Sequence, residues 1–315
     1  MPEDRLSMLV KVARMYHEQG LRQPEIAERL HVSQSRVSRL LKEAVSLGIV
    51  RTVVVAPPGS FADLEEEVRG ALGLTDVVVA GVSATDESSS LAAIGAAGAA
   101  YLQSTLMPTE RVGLSSWSAS LLAVVEAMAP RPSRGAEKVV QILGGVGAAS
   151  VQVQATRLAD RLAQVTGGEA MYFPAPGVVA TEQVRDALLA DPYVSDVVAA
   201  WSDLSVVLVG IGSVQPSPLL VSSGNALPQR DLDALAALGA VGDVCLNFFD
   251  ADGQLVDSDL HHRVLGIDAT TLRAVPRKIG VAGGERKVEA IRAAARGGWI
   301  DVLVTDSSTA RSLLA

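Results

Sequence analysis

Residues 23–41 read Gln-Pro-Glu-Ile-Ala-Glu-Arg-Leu-His-Val-Ser-Gln-Ser-Arg-Val-Ser-Arg-Leu-Leu. Two short helices fit this stretch, joined by a turn at His31-Val32. Pro24 suits a first helical turn, where its missing N–H has no partner to lose. Ser33 is placed to cap the second helix with its hydroxyl. Ile26, Ala27 and Leu30 form one apolar face, and Val37, Leu40 and Leu41 the other. Ala27 must be small if the helices cross closely. His31 stands where a left-handed conformation is expected, which His tolerates better than a β-branched residue does.

Working outward, Leu6, Leu9, Val10, Ala13 and Tyr16 repeat at helical spacing and predict an earlier helix with those residues facing inward, ended by Gly20. Three helices of this kind make a helix-turn-helix. Its last helix would place Gln34, Ser35, Arg36, Ser38 and Arg39 against the major groove of DNA. Arg and Gln fit that task through bidentate bonds to guanine and adenine edges. Arg22 and Gln23, at the start of the middle helix, are further DNA-binding candidates. The alternative is a three-helix module that binds protein. Gly48 would end the last helix, and Ile49–Val55 reads as a strand that could form a wing.

Charge is uneven in the same direction. Residues 1–55 hold nine Lys/Arg against six Asp/Glu, a net of +3, on a chain whose net charge is −8. A basic end on an acidic body must meet nucleic acid locally, because the whole chain repels it at long range. With 315 residues, 49% hydrophobic and 20% charged, the chain suits a small domain plus a large one and excludes disorder as its main state. A single cysteine, Cys245, excludes a disulfide scaffold and suggests a reducing compartment, so a cytoplasmic location is expected. The longest small-apolar run, Leu91–Leu102, is too short for a membrane span. The early charges Glu3, Asp4 and Arg5 do not read as a signal peptide.

The segment Ala56-Pro57-Pro58-Gly59-Ser60 marks a boundary, so we assign 1–55 to the DNA-binding domain, 56–60 to a linker and 61–315 to the large domain. There, short Val/Ile/Leu runs alternate with amphipathic stretches, predicting a mostly parallel sheet covered on both faces. Strands are expected at Val77–Ala80, Arg111–Leu114, Lys138–Leu143, Ala170–Phe173, Val197–Ala199, Val206–Gly210, Asp243–Asn247, Lys278–Val281 and Val302–Thr305. Helices are expected at Phe61–Leu72, Ser120–Met128, Val151–Gln164, Glu182–Ala190, Gln229–Leu238, Glu285–Ala295 and Ser308–Leu314.

Small-residue turns follow several of these strands. Gly113-Leu114-Ser115-Ser116-Trp117-Ser118-Ala119-Ser120 leads into a helix, where backbone N–H groups and Ser hydroxyls can hold an anion such as phosphate. It reads equally as a tight turn with Ser caps. Gln141–Gly147, which contains Gly144, and Gly210–Ser213 are similar loops, and together they would line the carboxyl ends of parallel strands. Asp250 could accept bonds from sugar hydroxyls, although a β-turn with Gly253 is the plainer reading. Lys287 is expected in the first turn of a helix, where a cation opposes the helix dipole and either faces solvent or meets an anionic ligand. Trp117 is a stacking candidate, and Cys245 is expected as an inert thiol inside a strand. The acidic run 250–259 lacks calcium-loop spacing, and the four His residues show no metal pairing, so no metal site is assigned.

These segments together resemble the SorC/DeoR-type sugar-responsive transcriptional regulators of bacteria. Gln23–Leu41, Gln141–Gly147, Pro174–Val178, Val207–Ser213, Gly239–Asp243, Phe248–Gly253, Ile279–Ala290 and Val302–Ala310 carry the resemblance in order along nearly the whole chain. It implies an α/β chain with an N-terminal winged helix-turn-helix and a large effector domain similar to NagB/ribose-phosphate isomerases. It also implies a sugar, polyol or sugar-phosphate effector, operator DNA as partner, no cofactor, and a homodimer or homotetramer. Ser115–Ser120 would then be the phosphate loop, and Asp250 and Lys287 polar effector contacts. Trp117 is followed by Ser118-Ala119-Ser120 where the family has Trp-Gly-x-Thr, and Gln154 stands near a usual Asn. The function expected is a regulator, such as a repressor, of carbohydrate genes. An isomerase-like enzyme with an appended DNA-binding module is the alternative, but no acid/base partner for Asp250 is evident.

Overall fold

The computed structural model describes residues 3–51, 59–82, 87–115, 118–130, 134–145, 149–215 and 227–315. The chain divides into two units, residues 1–57 and 58–315.

The first unit is three helices, α1 (Glu3–His17), α2 (Gln23–Arg29) and α3 (Gln34–Ser46). Leu9, Val12, Ala13, Met15, Ile26, Ala27, Val37, Leu40, Leu41 and Ala44 are buried together as its core. The inward face of α1 is rotated from the expected one: Val12 and Met15 are buried, whereas Leu6 and Tyr16 are 45% and 39% exposed. Spacing alone allowed both faces because α1 carries apolar residues on more than one side. His31 is left-handed at φ 53°, as its place in the turn required. At Gly48, φ is 69°. Its N–H bonds Val45 O, and that of Ile49 bonds Ala44 O at 2.9 Å. This closes α3 with a paired C-terminal cap that a Cβ would strain. Residues 49–51 are not strand, since Ile49 and Val50 pack onto the helical core. The rest of the expected wing, 52–55, lies outside the described residues.

In the second unit, seven strands form one parallel sheet: β1 (Asp76–Ala80), β2 (Arg111–Leu114), β3 (Lys138–Gln141), β4 (Glu169–Met171), β5 (Val206–Gly210), β9 (Arg277–Val281) and β10 (Val302–Asp306). Their order is β1-β10-β9-β5-β2-β3-β4. Alternate residues serve opposite faces. Val206 and Leu208 join Val112, Leu114, Ile279, Val281, Val302 and Val304 in one buried cluster, while Val207 and Val209 join Val140, Ile142, Trp201 and Trp299 in another. Each such Val or Leu is worth roughly 1.5–3 kcal/mol when fully buried. The first face is covered by α5 (Glu87–Thr105), α6 (Ala119–Ala127) and α7 (Ala149–Thr166). The second is covered by α4 (Ala62–Leu72), α9 (Pro192–Ala200), α12 (Val288–Arg296) and α13 (Ser307–Leu314). The remaining α-helices among the described residues are α8 (Glu182–Leu189), α10 (Gln229–Ala237) and α11 (Ala269–Ala274).

Three expectations are corrected. Val197–Ala199 is helical, inside α9, where Asp191 caps the helix by accepting the Tyr193 N–H. Asp243–Asn247 is not one strand but the tip of an antiparallel hairpin, β7 (Gly242–Val244) and β8 (Asn247–Phe249), with β6 (Gly212–Ser213) beside β7. Cys245 is therefore buried in the hairpin turn at φ 54°, not in a strand. The Leu91–Leu102 run falls within α5, and no helix among the described residues is long and apolar enough to cross a membrane.

Candidate functional site

The N-terminal face is built on one helix. The Ser33 hydroxyl accepts the Arg36 N–H at 3.3 Å and caps α3. Gln34, Ser35, Arg36 and Arg39 are exposed and Ser38 is half-buried, while Val37, Leu40 and Leu41 face the core. Burial of every third or fourth residue turns the intervening polar ones outward together. The Arg39 Nε donates to Ser35 O at 3.3 Å, which lays its side chain back along the helix start. Neither Arg36 nor Arg39 is ion-paired among the described residues. At the start of α2, Arg22 is exposed and Gln23 half-buried, and the Arg22 N–H donates to the Glu25 carboxylate at 2.7 Å.

The second candidate region lies where the sheet changes direction. From β2 the chain goes outward to β3 and β4, whereas from β5 it goes to β9 and β10 on the other side. The chain leaves the neighbouring strands β2 and β5 toward opposite sides of the sheet, and it is at the carboxyl ends of such a switch point that open α/β sheets bind ligands in a crevice. Ser115 follows β2, and its N–H bonds Leu208 O at 3.2 Å. Ser118 caps α6 through the Leu121 N–H at 3.3 Å, and its hydroxyl lies 3.3 Å from that of Ser120. A Cβ on Gly210, at the end of β5, would lie 3.2 Å from the Ser118 hydroxyl, so the two loops abut. Ser116 and Trp117 lie outside the described residues.

The β7–β8 hairpin supplies an acid that the sequence reading passed over. The partly buried Asp243 accepts the Leu246 N–H at 3.0 Å. Burial pushes its carboxyl up to about 6, against the opposing pull of that bond and of the Lys287 ammonium. Lys287 ends a short turn, Glu285–Lys287, just before α12, so it precedes the helix instead of lying in its first turn. Burial also raises the Cys245 thiol, to about 12, while the Ser115 hydroxyl bonded to it works the other way. Ser115, Asp243, Cys245 and Lys287 are thus linked neighbours, with Gly212 against Asp243 and Gly210 against Ser118. Asp243 was legible only as part of Gly239–Asp243, because its apolar neighbours made the segment read as a buried strand.

Other sequence candidates are placed elsewhere. Asp250 accepts the N–H groups of Asp252 and Gln254 at 3.0 and 2.9 Å through one carboxylate oxygen, which makes the β-turn with Gly253. Gly113 is a packing position: Leu204, Val207 and Ile142 fill the space a side chain would take. At Gly144 the backbone of Ala175–Gly177 comes so close that a Cβ has no room. Gln154 is exposed on α7. No group of His, Cys, Asp and Glu among the described residues could hold a metal ion.

Comparison with known proteins is decisive on the family. The Sugar-bind family of sugar-binding domains matches residues 57–315. The chain belongs to this family. The sigma-70 region 4 family matches residues 11–46, the helix-turn-helix. The chain is 30% identical to the sorbitol operon regulator of Klebsiella pneumoniae, over 99% of this chain and 98% of that one. It is 29% identical to the deoxyribonucleoside regulator of Bacillus subtilis, over 100% and 99%. The full-length SorC structure from Klebsiella pneumoniae superposes with a TM-score of 0.74 at 29% identity, over 99% of this chain and 100% of that one. The chain is a SorC/DeoR-type transcriptional regulator, with a helix-turn-helix and a sugar-binding domain.

Proposed function

We propose that this Sugar-bind family member binds operator DNA through the start of α3, and that a sugar or polyol, free or phosphorylated, changes that binding from the β2/β5 crevice. The carrying observation is that Lys287 and the Cys245 neighbour Ser115 lie by Asp243, while Ser118 and Ser120 stand beside the end of β5, where the sheet reverses direction. An acid accepts sugar hydroxyls, while an ammonium with hydroxyls and helix-start N–H groups suits a phosphate. Arg36 and Arg39 would read bases, with Gln34, Ser35, Ser38, Arg22 and Gln23 on bases or phosphates. A homodimer would set two such helices on palindromic half-sites, and a homotetramer two such pairs. The effector then acts by binding one arrangement of the subunits more tightly than another.

The test is a thermal-shift panel on the full chain with sorbitol, sorbitol 6-phosphate, 2-deoxyribose and 2-deoxyribose 5-phosphate, extended to other sugars, polyols and their phosphates. A compound that binds only the native state raises the melting temperature. At least one compound is expected to raise it in the wild type and not in Asp243→Ala or Lys287→Ala. Equal rises in all three proteins would remove the crevice as the site.

A further inference from the structure

The turn joining β7 to β8 is where the backbone departs furthest from what its residues favour. Cys245 and Leu246 follow one another at φ 54° and 61°. Two successive left-handed residues make the tight hairpin turn that Asn-Gly favours, and Cys-Leu does not. Fixed bonds hold it. Asp243 Oδ2 accepts the Leu246 N–H at 3.0 Å. The buried Asn247 side chain donates to Val244 O at 3.1 Å and to Ile267 O at 3.1 Å. The Asp243 carboxylate lies across Gly212, its Oδ1 occupying the space a Cβ there would need. Behind it, Gly242 sits on Ala290, where a Cβ would come within 2.5 Å, so the hairpin is pressed onto the start of α12.

We infer that Gly212 and the Leu246 amide are positioning elements, which hold the Asp243 carboxylate in one orientation beside Lys287 and thereby determine affinity for the effector. This rests on the reading of Asp243 as an effector contact. One oxygen accepts the turn's Leu246 amide and the other lies over Gly212, so the left-handed turn and the glycine together fix the carboxylate. Among the described residues, the charged and titratable groups facing Asp243 are Lys287, from the 285–287 turn, and Cys245, on its own hairpin. Gly212 and Ser213 of β6 bring none, and α12 meets the hairpin with Ala290.

The experiment needs no effector. A carboxyl raised from 3.8 to about 6 binds its proton more tightly in the folded chain, so wild-type stability falls as pH rises through that interval. Asn in its place keeps an acceptor for the Leu246 N–H and carries no charge. Asp243→Asn is therefore expected to melt several degrees above wild type at pH 7.5, with the gap about halved at pH 5 and closed below the ordinary carboxylate value of 3.8. In a Gly212→Ala background the carboxylate is displaced toward water, and Asp243→Asn is expected to give no rise at pH 7.5. An equal rise in both backgrounds overturns the inference. Should Gly212→Ala fail to fold, Asp243→Glu serves: its longer side chain overshoots the gap, so its pH-dependent loss of stability is expected to vanish, and a retained loss overturns the inference. The two failures are distinguishable. Loss of the background dependence overturns the cradle alone, whereas an unaltered response of Asp243→Ala to the sugar and polyol panel overturns the reading of the site and, with it, the claim on affinity.

Discussion

The two candidate regions are built in opposite ways. The face on α3 is a single helix whose polar residues are gathered by 3.6-residue periodicity, so Gln34 to Arg39 are neighbours in sequence and in space. The crevice takes Ser115 from the end of β2, Ser118 and Ser120 from α6, Asp243 from a hairpin and Lys287 from the turn after β9. Only the strand order brings these together. The first kind of site can be read from a local pattern. The second exists only once the sheet is assembled, and changes in it should couple to distant groups.

The largest effect is expected on the local site. Arg36→Ala with Arg39→Ala should weaken operator binding about a hundredfold or more, since each bidentate base contact is worth ~1–3 kcal/mol. A fluorescence-anisotropy titration measures it, with size-exclusion chromatography to follow the oligomer, and unchanged affinity would break the assignment of α3. In the crevice, Lys287→Ala should weaken the effector about tenfold or more while ligand-free operator binding persists, because a hydrogen bond to a charged group contributes roughly 1.5–3 kcal/mol. Isothermal titration with the compound found by thermal shift measures that change.

Asp250→Ala sharpens the comparison. It should lower stability by about 1 kcal/mol through loss of the turn bonds, and leave effector affinity unaltered. Denaturant unfolding together with calorimetric titration separates the two effects, and a large loss of affinity would return Asp250 to the site. Ser33→Ala, which removes the α3 cap, should cost ~1 kcal/mol of the first unit's stability. Circular dichroism on melting reads that smallest change.

Much of this was legible before the structure. The Val/Ile/Leu runs of β1, β2, β5, β9 and β10 stood out because both sheet faces are buried, which leaves near-continuous apolar stretches. The helix-turn-helix was legible because Ser33, Val37, Leu40 and Leu41 repeat at helical spacing within a few residues. The α1 face was misplaced because Leu6, Val10 and Tyr16 offered a second apolar stripe that stays at the surface or half-buried. The α9 stretch misled because Val197 and Val198 are β-branched, and tertiary packing with the capping Asp191 overrode that preference. The β7–β8 turn was invisible because Cys245 and Leu246 carry no turn chemistry, and their conformation is imposed by Asp243 and Asn247. Asp243 was passed over for the same reason: a lone acid within an apolar run looks like less of a ligand than one beside a loop.

The most direct test of the division of labour is one anisotropy titration. The full chain is added to a labelled duplex selected by that chain from random-sequence DNA, with and without the compound that raises its melting temperature. At least a tenfold change in operator affinity is expected for the wild type, and a clearly smaller one for Lys287→Ala at the same concentration of compound. A compound that binds tightly yet leaves the wild-type operator isotherm unmoved would contradict the coupling of a sugar-sensing crevice to a DNA-reading helix.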